Sequence, residues 1–407
     1  MTTYLTQRDS ELLGTSNRTD ALGHLSIWSE IGRELIPHLT AQTTDVRAFQ
    51  VLIEILRLWE RLVSERPEHA GRLRDVFVLM EQAIARTVAL RGLDWPLPGA
   101  RRVRAGATRQ VSRIGLDPDH ALLGSQFGNG IYGLYVASAR RAGMVTPDHD
   151  RLEIETLEVA SSTPGLSEKA AGQLIALVRQ VLENGGPVDL PTHGSTALVG
   201  DVVAMYEDVP LGDHLRQKLV GATHITAALA ARTLATEGLP RRGLLSGLQQ
   251  DISEHADQIQ RVIDTEDTLA IIEATFVRLC AGAGEPLGTV ASSLPVDLGL
   301  LREAHDRFVA VGPLRGGAAR LRHGRISTML DMSTAEAFAR SILHLHHLAM
   351  DDRRRADWVT EENGILRGFV EIGDVDDDAF NVGQAWWNDY YLYAYTSISR
   401  QLADLSS

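Results

Sequence analysis

Large apolar residues at helical spacing recur along this chain, and they restrict the folds open to it. In the clearest case, within residues 46–64, such side chains follow one another at intervals of three and four: Phe49, Leu52, Ile53, Leu56 and Trp59. That spacing aligns them along one face of an α-helix. Asp45, directly before the run, is a preferred N-cap residue. The sequence therefore predicts a helix here with one face in a hydrophobic core.

The same reasoning predicts helices at residues 67–91, 131–142, 167–183, 244–265, 269–280, 300–311, 334–350 and 380–402. Patterns typical of paired strands are short, and lie at residues 145–155, 319–327 and 358–367. In the last of these, Asn363-Gly364 suits a type I′ turn. The predicted fold class is mainly α: a multi-helix protein with winged-helix-like units and small β-hairpins.

Two segments have the composition of linkers. Trp95-Pro96-Leu97-Pro98-Gly99 is rigid, and residues 282–295 are rich in small side chains. The length of 407 residues is enough for several domains. We predict an N-terminal helical domain at 1–98, a winged-helix-like domain at 99–196, a helical domain at 197–295 and a C-terminal helix/hairpin domain at 296–407.

The winged-helix-like unit is predicted from residues 101–157. Glycines at 124, 128, 130 and 133 disfavour one long helix, because each costs about 1 kcal/mol relative to alanine in a helix interior. We expect two short helices separated by a turn near Phe127–Gly130, then a hairpin whose returning strand is Arg151–Glu155. Helix, turn, helix and wing is the order found in winged-helix domains.

The basic residues of this unit are candidate nucleic-acid contacts. In a winged helix the second helix enters the major groove and the wing touches the DNA backbone or minor groove. The candidates are Arg101, Arg102, Arg104, Arg109, Arg113, Arg140, Arg141 and Arg151. Acidic residues in and after the wing would repel phosphate, so a protein-docking surface is the alternative interpretation.

The charge balance narrows the choice of partners. A formal net charge of −13 argues against a protein that coats nucleic acid with its whole surface. It is compatible with a local basic face, because phosphate contacts depend on a few well-placed arginines. It also offers an acidic surface to a basic partner.

A histidine-rich segment is a candidate metal site. On the helix predicted at 334–350, His344 and His347 share a face with Asp351. No HExxH motif or cysteine pair accompanies them. Histidines on a helix surface or in the core are the simpler interpretation, and no cofactor is predicted.

Aromatic residues near the C-terminus are candidate partner anchors. On a continuous helix over 380–402, large aromatic side chains would lie on two faces, of which the second could bind another protein. The candidates are Trp386, Trp387, Tyr390 and Tyr391. Packing within the core of the chain itself is the alternative.

The single cysteine and the N-terminal residues help to predict the cellular compartment of the protein. Cys280 lies in an apolar helical pattern and is expected to be a buried core thiol. A lone cysteine forms no intrachain disulfide, which favours a reducing compartment. The first residues lack a basic start followed by an apolar block, and no apolar run is long enough to cross a bilayer. We therefore predict a cytoplasmic protein without membrane contacts.

Three short segments carry a resemblance. They are Asp20-Ala-Leu-Gly-His-Leu-Ser-Ile-Trp28, Leu39-Thr-Ala-Gln-Thr-Thr44 and Gly130-Ile-Tyr-Gly-Leu-Tyr135. The chain resembles, in these segments of its first third, uncharacterised bacterial helical proteins encoded beside anti-phage defence genes. The resemblance implies a subunit of a multi-protein defence assembly, and assigns no functional residues.

Three functional hypotheses follow. The first is a non-catalytic subunit that binds partner proteins, and DNA through residues 101–151. The second is a metal-dependent enzyme that uses His344, His347 and Asp351. The third is a standalone winged-helix regulator that binds DNA through Arg140 and Arg141.

Overall fold

The computed structural model describes residues 20–108, 112–191, 197–236, 240–370, 372–373, 375–388 and 390–405. As predicted, these residues form a mainly helical protein with small β-structures. The helices are α1 (Leu25–Leu35), α2 (Val46–Glu65), α3 (Leu73–Leu90), α4 (Ala100–Thr108), α5 (Gln126–Asn129), α6 (Ile131–Arg141), α7 (Ile154–Ser162), α8 (Glu168–Asn184), α9 (Ala197–Asp208), α10 (Gly212–Leu215), α11 (His224–Ala235), α12 (Arg241–Asp251), α13 (Ala256–Ala281), α14 (Leu287–Ser292), α15 (Leu298–Val311), α16 (Gly317–Met329), α17 (Ala335–Asp352) and α18 (Tyr390–Asp404).

In the described residues, the β-strands form two antiparallel pairs. The strands are β1 (Arg113–Ile114), β2 (Val188–Asp189), β3 (Val359–Glu362) and β4 (Ile365–Gly368). β1 pairs with β2, and β3 pairs with β4 in a hairpin. Asn363 and Gly364 at the hairpin turn both have positive φ, at 54° and 79°, as a type I′ turn requires. The hairpin predicted at 358–367 is therefore confirmed. Within the described ranges, no helix is both long and apolar enough to cross a membrane.

The chain divides into two compact units, each built from two separate segments. The first unit contains residues 1–34 and 256–388, and the second contains residues 35–255 and 389–407. Two of the boundaries predicted from the sequence, after residues 98 and 196, fall inside the second unit. The third, after residue 295, falls inside the first unit. The division into four parts stays a prediction.

Helix α2 is the centre of the second unit. Asp45 caps it as predicted, by accepting a hydrogen bond from the backbone N–H of Arg47 at 2.9 Å. Its predicted apolar stripe is buried, but so are Val51, Ile55 and Leu58 on its other faces. α3, α6, α7, α8, α9, α10 and α18 all pack against it. A helix that is apolar on most of its faces is stable only when surrounded in this way.

Helix α13 has the same role in the first unit, where α14, α15, α17 and β4 pack against it. It also buries four carboxylates, each with a partner. Arg307 binds Asp264 and Asp267 at 3.0 and 3.1 Å, and the backbone N–H of Trp387 donates to Glu266 at 2.9 Å. A buried charge is tolerated when it is paired in this way. The fourth carboxylate belongs to Glu273.

Glu273 helps to hold the N-terminal segment Asp20–His24 inside the first unit. Its carboxylate lies 2.9 Å from Nδ1 of the buried His24. Arg353 donates to the Asp20 carboxylate at 2.6 Å. His346 is fully buried; its Nδ1 lies 3.0 Å from the Ala21 carbonyl oxygen, and its Nε2 accepts from the N–H of Trp358 at 2.8 Å. Three side chains distant in sequence, those of Glu273, His346 and Arg353, thus anchor this segment.

One strand prediction is wrong, and another is only partly correct. Residues 319–327 form part of helix α16 and not a hairpin. The returning strand of the predicted wing is reduced to one bridge between Val145 and Leu152, since helix α7 begins at Ile154. The second of the two short helices before it is confirmed as α6, which begins at Ile131. The first is misplaced, because residues 122–125 form bends and turns and α5 occupies Gln126–Asn129, where the turn was predicted.

The aromatic helix predicted over 380–402 is shorter than expected and begins at Tyr390. Residues 377–380 form a turn of 3-10 helix, and Trp386 and Trp387 lie outside any helix. The helical spacing that linked these two residues to Tyr390 and Tyr391 does not exist. That part of the prediction is wrong.

Cys280 is buried near the end of α13, as expected. Burial raises the pKa of its thiol from 9.0 to about 12, and the Glu273 carboxylate adds to the shift. The thiolate is the reactive form, so the reactive fraction is about a thousandfold smaller than for a free thiol. We expect native protein to react with a disulfide reagent such as DTNB at least a hundredfold more slowly, as an order of magnitude, than denatured protein. Equal rates in the two states would contradict this burial.

Candidate partner-binding site

The residue directly before the basic helix α4 occupies a backbone position that requires glycine. Gly99 has φ of +87°, and a Cβ added there would lie 2.8 Å from the side chain of Leu122. The preceding Trp95 is fully buried, donates to the Pro98 carbonyl oxygen at 3.2 Å and stacks on Tyr206 at 5.4 Å. The predicted rigid linker is therefore a packed segment that fixes where α4 starts.

Helix α4 turns Val103 inward and its arginines outward. Val103 is buried, whereas Arg101, Arg102 and Arg104 are exposed. Arg102 donates to the carbonyl oxygens of Pro118 and Ala121, at 3.3 and 2.8 Å. Arg104 forms an exposed ion pair with Asp94 at 2.8 Å. The helix thus presents cationic groups beside the loop at residues 115–124.

Two clefts lie between α4 and this loop, and Arg102 and Ala105 line both of them. The larger has a volume of about 560 Å³, and its other lining residues are Gly99, Ala100, Arg101, Leu122, Leu123 and Gly124. The smaller has a volume of about 280 Å³ and includes Arg86, Gly106, Pro118, Asp119 and Ala121. An apolar cleft with cationic groups at its edge suits an apolar side chain flanked by carboxylates.

The buried carboxylate of Glu81 helps to hold this loop on helix α3. Glu81 on α3 accepts from the N–H of Ile131 at 2.8 Å and from Nε2 of Gln126 at 2.7 Å. Gln126 in turn accepts from the N–H of Leu122 at 3.0 Å. Burial raises the pKa of Glu81 to about 7, and the two hydrogen bonds oppose the shift. Leu122, in the larger cleft, is thereby connected to the core of the second unit.

Two further side chains of α3 hold the loop. Gln82 makes a pair of hydrogen bonds with the backbone of Gly115, both at 3.0 Å. Arg86 is buried and donates to the carbonyl oxygen of His120 at 2.8 Å. Burial lowers the pKa of Arg86. The loop is therefore anchored at three points, which favours a cleft that is formed before any partner arrives.

Few of the arginines predicted to bind nucleic acid line the clefts beside α4. Arg113 pairs with Asp189 across β1 and β2 at 2.7 Å, and Arg140 pairs with Asp150. Arg141 and Arg151 are exposed but line neither cleft. Arg109 lies outside the described residues. Arg101 and Arg102 are the candidates that reach the clefts.

Helix α6, predicted to enter the DNA major groove, is committed to the core. Its residues Ile131, Tyr132, Tyr135, Val136 and Ala139 are buried, and it packs against α2 and α5. Of the arginines at its end, Arg140 is already paired with Asp150. Direct base readout needs side chains that project into a groove, and α6 offers little for that purpose.

The predicted metal set does not converge. His347 lies 2.9 Å from Asp357 through Nδ1, and His344 and Asp351 are exposed. Within the described part of the chain, the side chains placed closely enough to share a metal ion are His224, Glu254 and His255. This group was not predicted from the sequence, because one helix was expected to continue across residues 252–255. The adjacent Glu254-His255 pair was the available signal.

The predicted aromatic anchors do not lie together on one helix. Trp387 packs against the buried cluster of Ala274, Leu294 and Phe380 in the first unit. Trp386 and Tyr391 are half-buried. The side chain of Tyr390 lies outside the described residues. Trp387 therefore contributes to the core of its own unit, which was the alternative interpretation.

Comparison with protein-family models, curated proteins and solved structures finds no match to this chain.

Proposed function

We propose that this chain is a non-catalytic subunit of a multi-protein assembly, and that it binds a partner protein through the clefts beside α4. The observation that carries the proposal is the cleft of about 560 Å³ bordered by the exposed Arg101 and Arg102. The partner segment is expected to place an apolar side chain near Leu122 and Leu123, and carboxylates near the two guanidinium groups. An assembly encoded beside anti-phage defence genes is the setting that the resemblance suggests.

DNA is the alternative occupant of the same surface. Exposed arginines on one helix favour it, because phosphate contacts dominate nucleic-acid affinity. Against it stand the net charge of −13, the pairing of Arg113 and Arg140 with aspartates, and the presence of Asp119 in the smaller cleft. These observations favour an acidic protein segment over a phosphate backbone.

The test is a charge reversal on α4. The double variant Arg101→Glu/Arg102→Glu should weaken binding to a co-purifying partner by roughly tenfold or more, about 1.4 kcal/mol. Isothermal titration calorimetry with the purified partner gives the affinities. Because Arg102 also holds the loop, Ala105→Glu is a second variant that adds charge at an exposed position in both clefts. It should weaken binding without changing the melting temperature.

The matched control is Arg354→Glu/Arg355→Glu, which reverses two adjacent exposed arginines in the first unit and leaves the clefts unchanged. Equal affinity loss in the control and in the α4 variants would count against the clefts. DNA binding is measured separately, by fluorescence anisotropy with a labelled duplex at low and moderate salt. Binding that falls steeply with salt and is abolished by the α4 variants would replace the protein partner with DNA.

A further inference from the structure

Two histidines and a glutamate come together in the second unit at a place unrelated to the clefts. His224 is the first residue of α11. Glu254 and His255 belong to the short 3-10 helix at Ser253–His255, directly after α12. One potential ligand atom from each of the three lies within 4.8 Å of the others.

Backbone structure fixes both sides of this group. Thr223 and Thr226 form a capping box, in which the Thr223 hydroxyl accepts from the N–H of Thr226 at 3.1 Å. The box sets the direction in which α11 starts, and so the position of His224. On the other side, the N–H of His255 donates to the carbonyl oxygen of the buried Ile252 at 3.0 Å. Helices α11 and α12 pack against each other, which keeps the two sides close.

The geometry is near that of a metal centre. Nδ1 of His224 lies 2.8 Å from Oε1 of Glu254, and the two imidazole rings lie 5.9 Å apart. Around tetrahedral Zn²⁺, with bonds of about 2.0–2.1 Å, neighbouring ligand atoms lie about 3.3 Å apart. His224 and Glu254 are exposed and His255 is half-buried. The three potential ligand atoms therefore lie close enough to one another to share one ion.

We propose that His224, Glu254 and His255 bind Zn²⁺. Two imidazoles and one carboxylate suit a borderline divalent ion, whereas Mg²⁺ and Ca²⁺ prefer sites made of oxygen ligands. Three protein ligands leave a fourth position for water or for a donor from another molecule. The ion would tie the start of α11 to the turn after α12, and would stabilise the second unit by binding the folded state.

The test uses the full chain with any affinity tag removed, stripped of metal with EDTA and titrated with ZnCl₂ by calorimetry. We expect one Zn²⁺ per chain with a dissociation constant in the micromolar range. His224→Ala and His255→Ala should each weaken binding by roughly tenfold or more. Added Zn²⁺ should raise the melting temperature of the wild type but not of these variants. Co²⁺ bound in place of Zn²⁺ should give visible absorption that the variants lose.

The control is His344→Ala, which removes an exposed histidine from the set that the sequence had suggested. It should bind Zn²⁺ as the wild type does. Circular dichroism of the metal-free variants checks that each one folds. No saturable Zn²⁺ binding by folded wild-type protein would overturn the proposal. So would unchanged binding in both His224→Ala and His255→Ala. Because the partner-binding clefts lie elsewhere, failure here leaves the proposed function untouched.

Discussion

Replacing Gly133 with alanine is expected to destabilise the second unit, although alanine is the better helix former. A Cβ at this position in α6 would lie 1.8 Å from the carbonyl oxygen of Gly128, which is backbone and cannot turn away. Alanine gains about 1 kcal/mol of helix propensity. Overpacking of this severity costs about 3 kcal/mol. The steric term therefore wins, and we expect a net loss of about 2 kcal/mol in the free energy of unfolding.

The matched control is Gly172→Ala in helix α8. A Cβ there would meet no atom within 4 Å, so propensity acts alone and the variant should be more stable. Urea denaturation followed by circular dichroism measures both. If the two glycines respond in the same direction, the close approach of α5 and α6 at Gly128 is not a feature of the folded protein.

The second large effect is a loss of stability with rising pH that depends on Glu81. Its folded-state pKa is about 7, above the ordinary value of 4.5, because burial disfavours the charged form. The folded protein therefore holds this proton more tightly than the unfolded chain. The contribution is fully present below pH 4.5 and is lost as the pH rises through 7. Across that window it amounts to about 3 kcal/mol, at about 1.4 kcal/mol per pKa unit.

Glu81→Gln isolates this contribution, because the glutamine cannot ionise. It carries a constant cost, since its amide must place a donor against Gln126 or Ile131, both of which donate to Glu81. The useful quantity is the difference in unfolding free energy between wild type and variant at several pH values. We expect the difference to shift in favour of the variant between pH 5 and pH 8. A difference that stays constant would show that Glu81 titrates normally.

Local sequence patterns predicted the helical class and much of its detail. Asp45 identified the start of α2, the glycines up to Gly130 identified the start of α6, and Asn363-Gly364 identified the hairpin turn. Each of these signals acts over a few residues, through backbone conformation or side-chain spacing. They can therefore be recognised without knowing the tertiary structure.

Helix α16 was mistaken for a hairpin because of what it buries. Its buried positions Ala319, Arg322, His323 and Ile326 follow the helical spacing of three and four, but two of them are polar. Both polar side chains have partners inside the protein. Arg322 binds Asp352 at 2.7 Å, and Nε2 of His323 lies 3.0 Å from the Phe308 carbonyl oxygen. The spacing of apolar residues alone does not reveal a helix face that buries polar side chains.

The candidate sites depend on contacts between distant residues. The larger cleft is lined by residues from 99–105 and from 122–124. The proposed zinc site combines His224 with Glu254 and His255, which follow it by about thirty residues. The arginines illustrate the same limit. Arg113 and Arg140 were candidate nucleic-acid contacts, but each forms an ion pair with an aspartate, Asp189 and Asp150 respectively.

The anchoring of the N-terminal segment has a consequence for how the protein folds during synthesis. Asp20 and Arg353 stand 333 residues apart in the chain. At about 5–20 residues per second, translation needs roughly 20–70 s to progress from one to the other. The second unit has a similar delay, because α18 (Tyr390–Asp404) packs against α2 (Val46–Glu65). Neither unit can complete its core before these distant segments have been synthesised, so the nascent chain exposes apolar surface until then.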